Sequence, residues 1–429
     1  CIRDRNITDE VMKMKAAAPF MASASEETRN KALSLIMEKL KERKEEIFSA
    51  NRKDTERAEE EKTALPLLSR LHFGEEKLSD LSKGLEQLIS LPDPTGRVTL
   101  SRELDENLRL YRVTCPIGVI GVIFEARPDA LVQIASLAIK TGNCAVLKGG
   151  KEAKETNRIL FAIIHDAATE AGLPEESLLL AEAHSEIDEL LRCTGYVDLI
   201  IPRGSNDFVR YIMEHTKIPV MGHADGICHI YVDKEYDKEK AIPVIIDAKT
   251  QYPAACNAVE TVLVHREIAA EFLPSLAKAL EENHVKIRGT KEVSSFIPVE
   301  MISDDDFHHE YSDLILAVKI VADVKEAAEH INRFGSHHTD CIITENMNHV
   351  ALFMKLVDSA GVYHNVSTRF ADGYRYGFGA EVGISTGKLH ARGPVGPEGL
   401  LSYKYKLFGT GQIVSDYSDG KKEFHFKEL

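Results

Sequence analysis

The sequence predicts an α/β fold built from parallel sheets, with a β hairpin standing apart from them. From Pro116 onward, continuously apolar strands alternate with amphipathic helices, the pattern of a parallel sheet covered on both faces. A second alternating set begins near Lys238. Ahead of both sets, residues 97–102 and 108–113 read as two strands around Asp105, Glu106 and Asn107.

Taken in order, the first 90 residues are charged and helical. Residues 25–50 place Ala32, Leu35, Ile36, Leu40 and Ile47 close to a 3.6-residue period in a Lys/Glu-rich background, which predicts a helical stretch. The cluster from Leu91 to Gly96, with two prolines, breaks that pattern before the hairpin. Residues 117–124 form an apolar strand, Pro128 opens a helix that closes near Gly142, and 144–148 are the next strand. A helix over 153–171 ends at Gly172, and strands follow at 177–181, 197–201 and 227–232. A helix over 238–249 opens the second set, whose strands are 259–265, 314–321, 340–344 and 361–365. Residues 367–397 are loop-like and rich in Gly, Arg and Tyr. No repeat of fixed period is present.

A length of 429 residues is ample for two or three domains with large cores. With 44% hydrophobic and 28% charged residues, the composition is that of an ordinary soluble enzyme. Lys+Arg 53 against Asp+Glu 68 gives a net charge of −15, a field that repels nucleic acid and anionic membrane and argues against both as partners. An anionic substrate then needs a local basic pocket. Seven cysteines without a CxxC pair point to a reduced compartment and give no metal site. No apolar run is long enough to span a bilayer. The chain begins at Cys1 rather than methionine, which fits an excised piece of a longer protein.

The most informative stretch is Gln251-Tyr252-Pro253-Ala254-Ala255-Cys256-Asn257-Ala258. A cysteine among small residues in a loop between a helix and a strand leaves room for a substrate at the sulfur, so Cys256 is a candidate nucleophile. The competing reading is a buried structural thiol. Cys115, Cys144, Cys193, Cys228 and Cys341 fall in strands or helices and read as structural. No GxGxxG follows a strand, and HExxH and GxSxG are absent.

Four motifs precede or include Cys256 in a fixed order. They are 116–128 with its FEARP end, Leu147-Lys148-Gly149-Gly150-Lys151, Pro202-Arg203-Gly204-Ser205, and the cysteine loop. This order resembles the aldehyde dehydrogenase superfamily. The words FEARPD, LKGGKE, PRGSN, YPAACNA and KLHARGP resemble its gamma-glutamyl phosphate reductase family over nearly the whole chain.

The resemblance implies an aldehyde-dehydrogenase-like fold in three parts. Residues 1–95 and 116–233 would bind NADP(H), 234–390 would be catalytic, and 96–115 with 391–429 would form an oligomerisation hairpin and C-terminal segment. It also implies the reaction: NADPH-dependent reduction of L-glutamyl 5-phosphate to L-glutamate 5-semialdehyde, with phosphate released through a Cys256 thioester, in proline biosynthesis. Lys148 matches the lysine that contacts the adenosine ribose, and Glu310 matches the glutamate on the nicotinamide ribose. Lys151 stands where NAD-preferring relatives carry a glutamate, and a cation there suits a 2′-phosphate, hence NADPH rather than NADH. Gly204 and Ser205 open a helix whose free N–H groups suit a pyrophosphate, with an ordinary N-cap as the alternative.

Two departures point away from hydrolysis. The oxyanion-stabilising asparagine position is read onto Arg127, a cation suited to the leaving phosphate or the acyl group. The general-base glutamate position falls near His223, which is either a different base or a packed polar residue. In the late loop, Ser367, Thr368, Arg369 and Arg392 suit the substrate's anionic groups and Asp372 its ammonium, with loop salt-bridging as the alternative. The implied assembly is a homo-oligomer, with residues 411–417 as the strand complementing the hairpin. The resemblance extends to the reductase part of a bifunctional delta-1-pyrroline-5-carboxylate synthase fused to a glutamate 5-kinase. That places it in the mitochondrial matrix for an animal enzyme, otherwise in the cytoplasm. A hydrolytic aldehyde dehydrogenase and a non-catalytic assembly subunit remain the alternatives.

Overall fold

A computed structural model describes residues 6–63, 65–125, 127–183, 185–222, 225–378 and 380–429. Five helices come first: α1 (Ile7–Ser23), α2 (Glu26–Glu42), α3 (Lys44–Glu60), α4 (Leu65–Leu71) and α5 (Glu75–Ser90). The stretch expected over 25–50 is therefore two helices. Ser25 caps α2, its Oγ accepting the Thr28 N–H at 3.1 Å. The chain leaves helical geometry at Arg43 (φ −99°, ψ 21°) and restarts. The apolar stripe continues through the joint, from the fully buried Ala32, Ile36 and Leu40 to Ile47, so periodicity does not register the break.

The hairpin is β1 (Val98–Asp105) and β2 (Leu108–Pro116), turning at Asn107 with φ +61°. The next elements are β3 (Val119–Phe124), α6 (Pro128–Lys140), β4 (Cys144–Lys148), α7 (Lys154–Ala171), β5 (Leu178–Ala181), α8 (Ser185–Arg192), β6 (Leu199–Arg203) and α9 (Asn206–His215). Their strands form a parallel sheet in the order β5-β4-β3-β6. Every residue of β3 and β4 is buried, because α6 and α7 carry apolar faces onto the sheet. Each large aliphatic side chain withdrawn there contributes about 1.5–3 kcal/mol.

The second sheet uses β7 (Cys228–Val232), α10 (Lys238–Thr250), β8 (Val259–His265), β9 (Lys286–Gly289), β10 (Glu300–Met301), β11 (Ile315–Val321), β12 (Thr339–Ile343) and β13 (Gly361–His364). Its seven parallel strands run β10-β9-β11-β8-β7-β12-β13. The strand expected over 227–232 thus pairs with β8 and β12 rather than joining the first set. All five residues of β7 are buried. A strand buried on both faces reads the same in either sheet.

The late segment is loop with a small ribbon, β14 (Gly383–Ser385) against β15 (Gly393–Val395). Then β16 (Leu401–Phe408) pairs with β2 over eight positions, and β17 (Lys427–Glu428) covers β1. Residues 411–417 are not the complementary strand. They run into a helical turn, Val414–Ser418, whereas Leu401–Phe408 forms the strand, exposed at every position after Leu401. Among the described residues, no helix is long and apolar enough to cross a membrane.

Candidate active site

Strands β3 and β6 are neighbours, with Phe124 opposite Arg203 at their C-terminal ends. The residues just beyond those ends open onto a cleft of about 620 Å³. This is where parallel sheets place ligands, since the strands end there and helix N-termini begin. Cys256 lines the cleft, half-buried, on the loop between α10 and β8.

That loop is held at both ends. Lys249 leaves α10 and Glu260 enters β8, and their side chains pair at 2.9 Å with almost no exposure. Burial pushes the Glu260 carboxyl up to about 7, against the pull of the Lys249 ammonium. Breaking either half of such a pair leaves an uncompensated buried charge. The middle of the loop is fixed as well. Thr368 Oγ1 donates to the Asn257 carbonyl at 2.7 Å, and Asn257 Nδ2 donates to the Ala371 carbonyl at 2.9 Å. Gly226 lies flat against Cys256, where any Cβ would collide with the cysteine backbone. Cys228 donates its thiol to the Cys256 carbonyl at 3.4 Å.

Burial separates Cys256 from the other thiols. It pushes Cys144 and Cys341 up to about 12 and Cys228 well above its ordinary value. Cys193 is also raised by burial, and it sits just past α8 rather than inside it. Cys115 is half-buried in β2, away from the cleft. Among the described cysteines, Cys256 alone combines partial exposure with a cleft.

Arg127, Arg203 and Arg369 line the same cleft as the thiol. Arg369 donates from Nε to Gln251 Oε1 at 2.8 Å and lies over the Tyr252 ring. Burial lowers its pKa, and so does neighbouring Arg375, while a Cys256 thiolate favours its charge. Arg203 is half-buried by surface area yet deep enough that desolvation lowers its pKa, with Glu381 the strongest opposing charge. Asp372 also lines the cleft, its Oδ1 accepting the Tyr374 N–H at 2.9 Å.

The cofactor residues divide. Gly204, Ser205 and Glu310 line the cleft. Ser205 begins α9 without a side-chain cap, and its N–H donates to Glu125 Oε2 at 3.0 Å. The amide expected to hold a pyrophosphate oxygen is therefore already bonded to a side chain of this chain. Glu310 accepts from Asn206 Nδ2 at 2.7 Å and from the Gly226 N–H at 2.9 Å. Lys148 is buried at the end of β4, its Nζ donating to the Gly149 carbonyl at 2.6 Å, with Glu152, Glu182 and Glu186 around it. Lys151 is exposed at the start of the next helical turn, beyond the cleft.

Three expected substrate contacts are corrected. Thr368 is fully buried with its hydroxyl on the Asn257 carbonyl, and buried Ser367 caps its own turn by accepting the Arg369 N–H at 3.3 Å. Both position the loop instead of lining the cleft. Arg392 lies outside the cleft and binds Asp358 at 3.1 Å, as Lys388 does. His223 lies outside the described residues. Sequence reasoning missed Asn257, Gly226, Arg203 and the Lys249–Glu260 pair. Asn257 and Arg203 sat inside the quoted motifs, whereas the pair has no local signal.

Two parallel sheets, a cleft at strand ends and a cysteine on a loop beside it are the architecture of the aldehyde dehydrogenase type. Residues 3–295 match the aldehyde dehydrogenase family. A gamma-glutamyl phosphate reductase from Acetivibrio thermocellus is 54% identical over 424 residues, covering 99% of this chain and 98% of the relative. Gamma-glutamyl phosphate reductase 1 from Synechocystis is 53% identical, covering 97% of this chain and 96% of the relative. The crystal structure of gamma-glutamyl phosphate reductase from Thermotoga maritima superposes with a TM-score of 0.93 at 40% identity, covering 95% of this chain and 100% of that one. The chain therefore belongs to the aldehyde dehydrogenase family, in its gamma-glutamyl phosphate reductase branch.

Proposed function

We propose that the Cys256 cleft reduces L-glutamyl 5-phosphate to L-glutamate 5-semialdehyde, the family's step in proline biosynthesis. One observation carries this: the half-buried thiol shares its cleft with Arg127, Arg203 and Arg369 in a chain of net charge −15. Such a pocket concentrates an anionic substrate that the rest of the surface repels.

The residues act as follows. The Cys256 thiolate attacks the acyl carbonyl, the carbon–oxygen bond to phosphate breaks, and a thioester remains on the cysteine. The Cys256 backbone N–H and the neighbouring cations oppose the charge that develops on the carbonyl oxygen. Arg369 orients the substrate's carboxylate and Asp372 its ammonium. The nicotinamide cofactor of the family, when bound, supplies a hydride to the thioester carbon. Release of the aldehyde returns Cys256 as a thiolate.

We read the cofactor as NADPH. Lys151 is an exposed cation three residues after Lys148, and Ser205 and Glu310 line the same cleft. We divide the chain between α9 and β7, so that β7 belongs to the catalytic part. For assembly, Tyr403, Tyr405 and Leu407 share one face of β16 and are each more than half exposed, which fits a homo-oligomer contact. The bacterial relatives lend no support to a mitochondrial address or an attached glutamate 5-kinase, since this chain spans 96–98% of those named.

The test is phosphate dependence of the reverse reaction. Glutamate semialdehyde and NADP⁺ should give sustained NADPH only when inorganic phosphate is present. An equal rate of glutamate formation without phosphate would make the protein a hydrolytic aldehyde dehydrogenase. For the assembly, Tyr405→Glu with Leu407→Glu should reduce the particle size seen by light scattering, and an unchanged size would remove β16 from the interface.

A further inference from the structure

Arg203 enters the scheme above only as one of several cations in the cleft. Arg203 ends β6, directly across from Phe124 at the end of β3. Arg127 follows three residues later as the N-cap of α6. Adjacent parallel strands thus deliver two arginines to the cleft that Cys256 also lines. Neither guanidinium has a hydrogen-bond acceptor among the described residues. This contrasts with Arg29, Arg57 and Arg158, whose guanidinia all donate to carboxylates. A guanidinium has five N–H donors in a planar fork, and one withdrawn from water needs acceptors. Glu381 supplies charge compensation for Arg203 but itself accepts the Gly373 N–H at 2.8 Å. Cys256 is also among the charged neighbours of Arg203, which places the open fork within electrostatic reach of the reacting sulfur.

We propose that Arg203, with Arg127 beside it, is the phosphate-holding residue that selects an acyl phosphate for attack by Cys256. The proposal rests on the reading of the reaction given above. The leaving phosphate carries the charge that the guanidinium fork is shaped to bind in two-point fashion. As the carbon–oxygen bond to phosphate breaks, negative charge grows on the departing oxygens, and Arg203 stabilises it where it forms. In the reverse direction the same fork presents phosphate to the thioester. Its oxygen attacks the acyl carbon, and the electron pair of the carbon–sulfur bond returns to Cys256.

Two measurements separate this role from the reaction itself. The first is alkylation of Cys256 by iodoacetamide with and without inorganic phosphate, at matched ionic strength with chloride. Phosphate should slow alkylation of the wild type, and Arg203→Gln should lose that protection. The second is the reverse reaction followed from the first turnover. A burst of NADPH reports thioester formation and needs no phosphate, whereas the steady rate that follows does. Arg203→Gln should raise the KM for phosphate roughly ten- to a hundredfold and lower the steady rate relative to the burst, the expected loss of a charge-assisted contact. Arg203→Lys, which keeps the charge but not the fork, should recover part of the KM. Undiminished protection in Arg203→Gln, or burst and steady rate falling together, would overturn the proposal. A wild type protected by phosphate but turning over equally without it would keep the anion site and overturn the acyl-phosphate reading instead.

Discussion

The cleft at Cys256, about 620 Å³, and a larger one of about 930 Å³ beneath the hairpin are both lined by arginines. They differ in what those cations already hold. In the larger cleft Arg97 binds Glu398 at 2.8 Å and Arg392 binds Asp358 at 3.1 Å. Arg112 donates to Thr99 Oγ1 at 2.9 Å and lies over Tyr403, and Lys140 donates to the Leu91 carbonyl at 2.8 Å. Arg97 and Arg112 join the hairpin to the late loop and β16, and all four cations already have partners. In the smaller cleft Arg127 and Arg203 have no acceptor among the described residues, and Arg369 has only the neutral Gln251. That difference supports reading the larger cavity as architecture and the smaller one as the proposed site of chemistry. Uncommitted donors, rather than volume, mark the site.

The sharpest way to break this comparison is at the sulfur. Cys256→Ser should lower turnover by more than about a hundredfold while leaving NADPH binding, read by fluorescence titration, in place. Retained activity would move the chemistry out of the smaller cleft. Next come the paired arginines. Arg369→Gln should raise the substrate KM roughly ten- to a hundredfold, because a charge-assisted contact is lost. Arg392→Gln, in the larger cleft, should stay within about threefold, since an exposed ion pair is worth only about 0–1 kcal/mol. If the two variants lost affinity alike, commitment to Asp358 would not distinguish them.

A third cation lies apart from both clefts. Lys151→Glu should weaken NADPH by about tenfold and leave NADH unchanged, as expected when a single charge-assisted contact to a 2′-phosphate is lost. Isothermal titration with both cofactors checks it. Equal weakening of the two would leave Lys151 as a solvated surface residue.

Much of the fold was legible because burial on both faces writes itself as continuous apolar runs. Strands β3, β4 and β8 all fell where expected. What sequence does not carry is the identity of the partner. The strand β7 looks alike in either sheet, and only pairing with β8 and β12 decides. The same blindness applied to the site. Cys256, Arg127, Arg369 and Asp372, all named from loop motifs, line one cleft. Arg392, Ser367 and Thr368 had suitable residue types but were already bound to Asp358, to their own turn and to the Asn257 carbonyl. Density of polar residues in a loop does not reveal which of them are occupied.

The smallest expected effect tests the buried pair at the two ends of the cysteine loop. Lys249 and Glu260 are nearly inaccessible, and burial raises the Glu260 carboxyl to about 7. An unfolded glutamate titrates near 4.3. Between those values the folded protein binds more protons at this group than the unfolded chain does. By linkage, the Glu260 contribution is fully present below the unfolded value and is lost as pH rises through about 7. Thermal melts at pH 5 and pH 8 should therefore show a fall in Tm for the wild type. Glu260→Gln cannot titrate, so its Tm should fall less over the same interval, even though its overall stability drops from leaving Lys249 without a carboxylate. The comparison of slopes isolates titration from the general cost of the substitution. Parallel profiles would mean that Glu260 stays ionised throughout, held by Lys249 against its burial. The loop bearing Cys256 would then be clamped by a permanent ion pair, indifferent to pH across the neutral range.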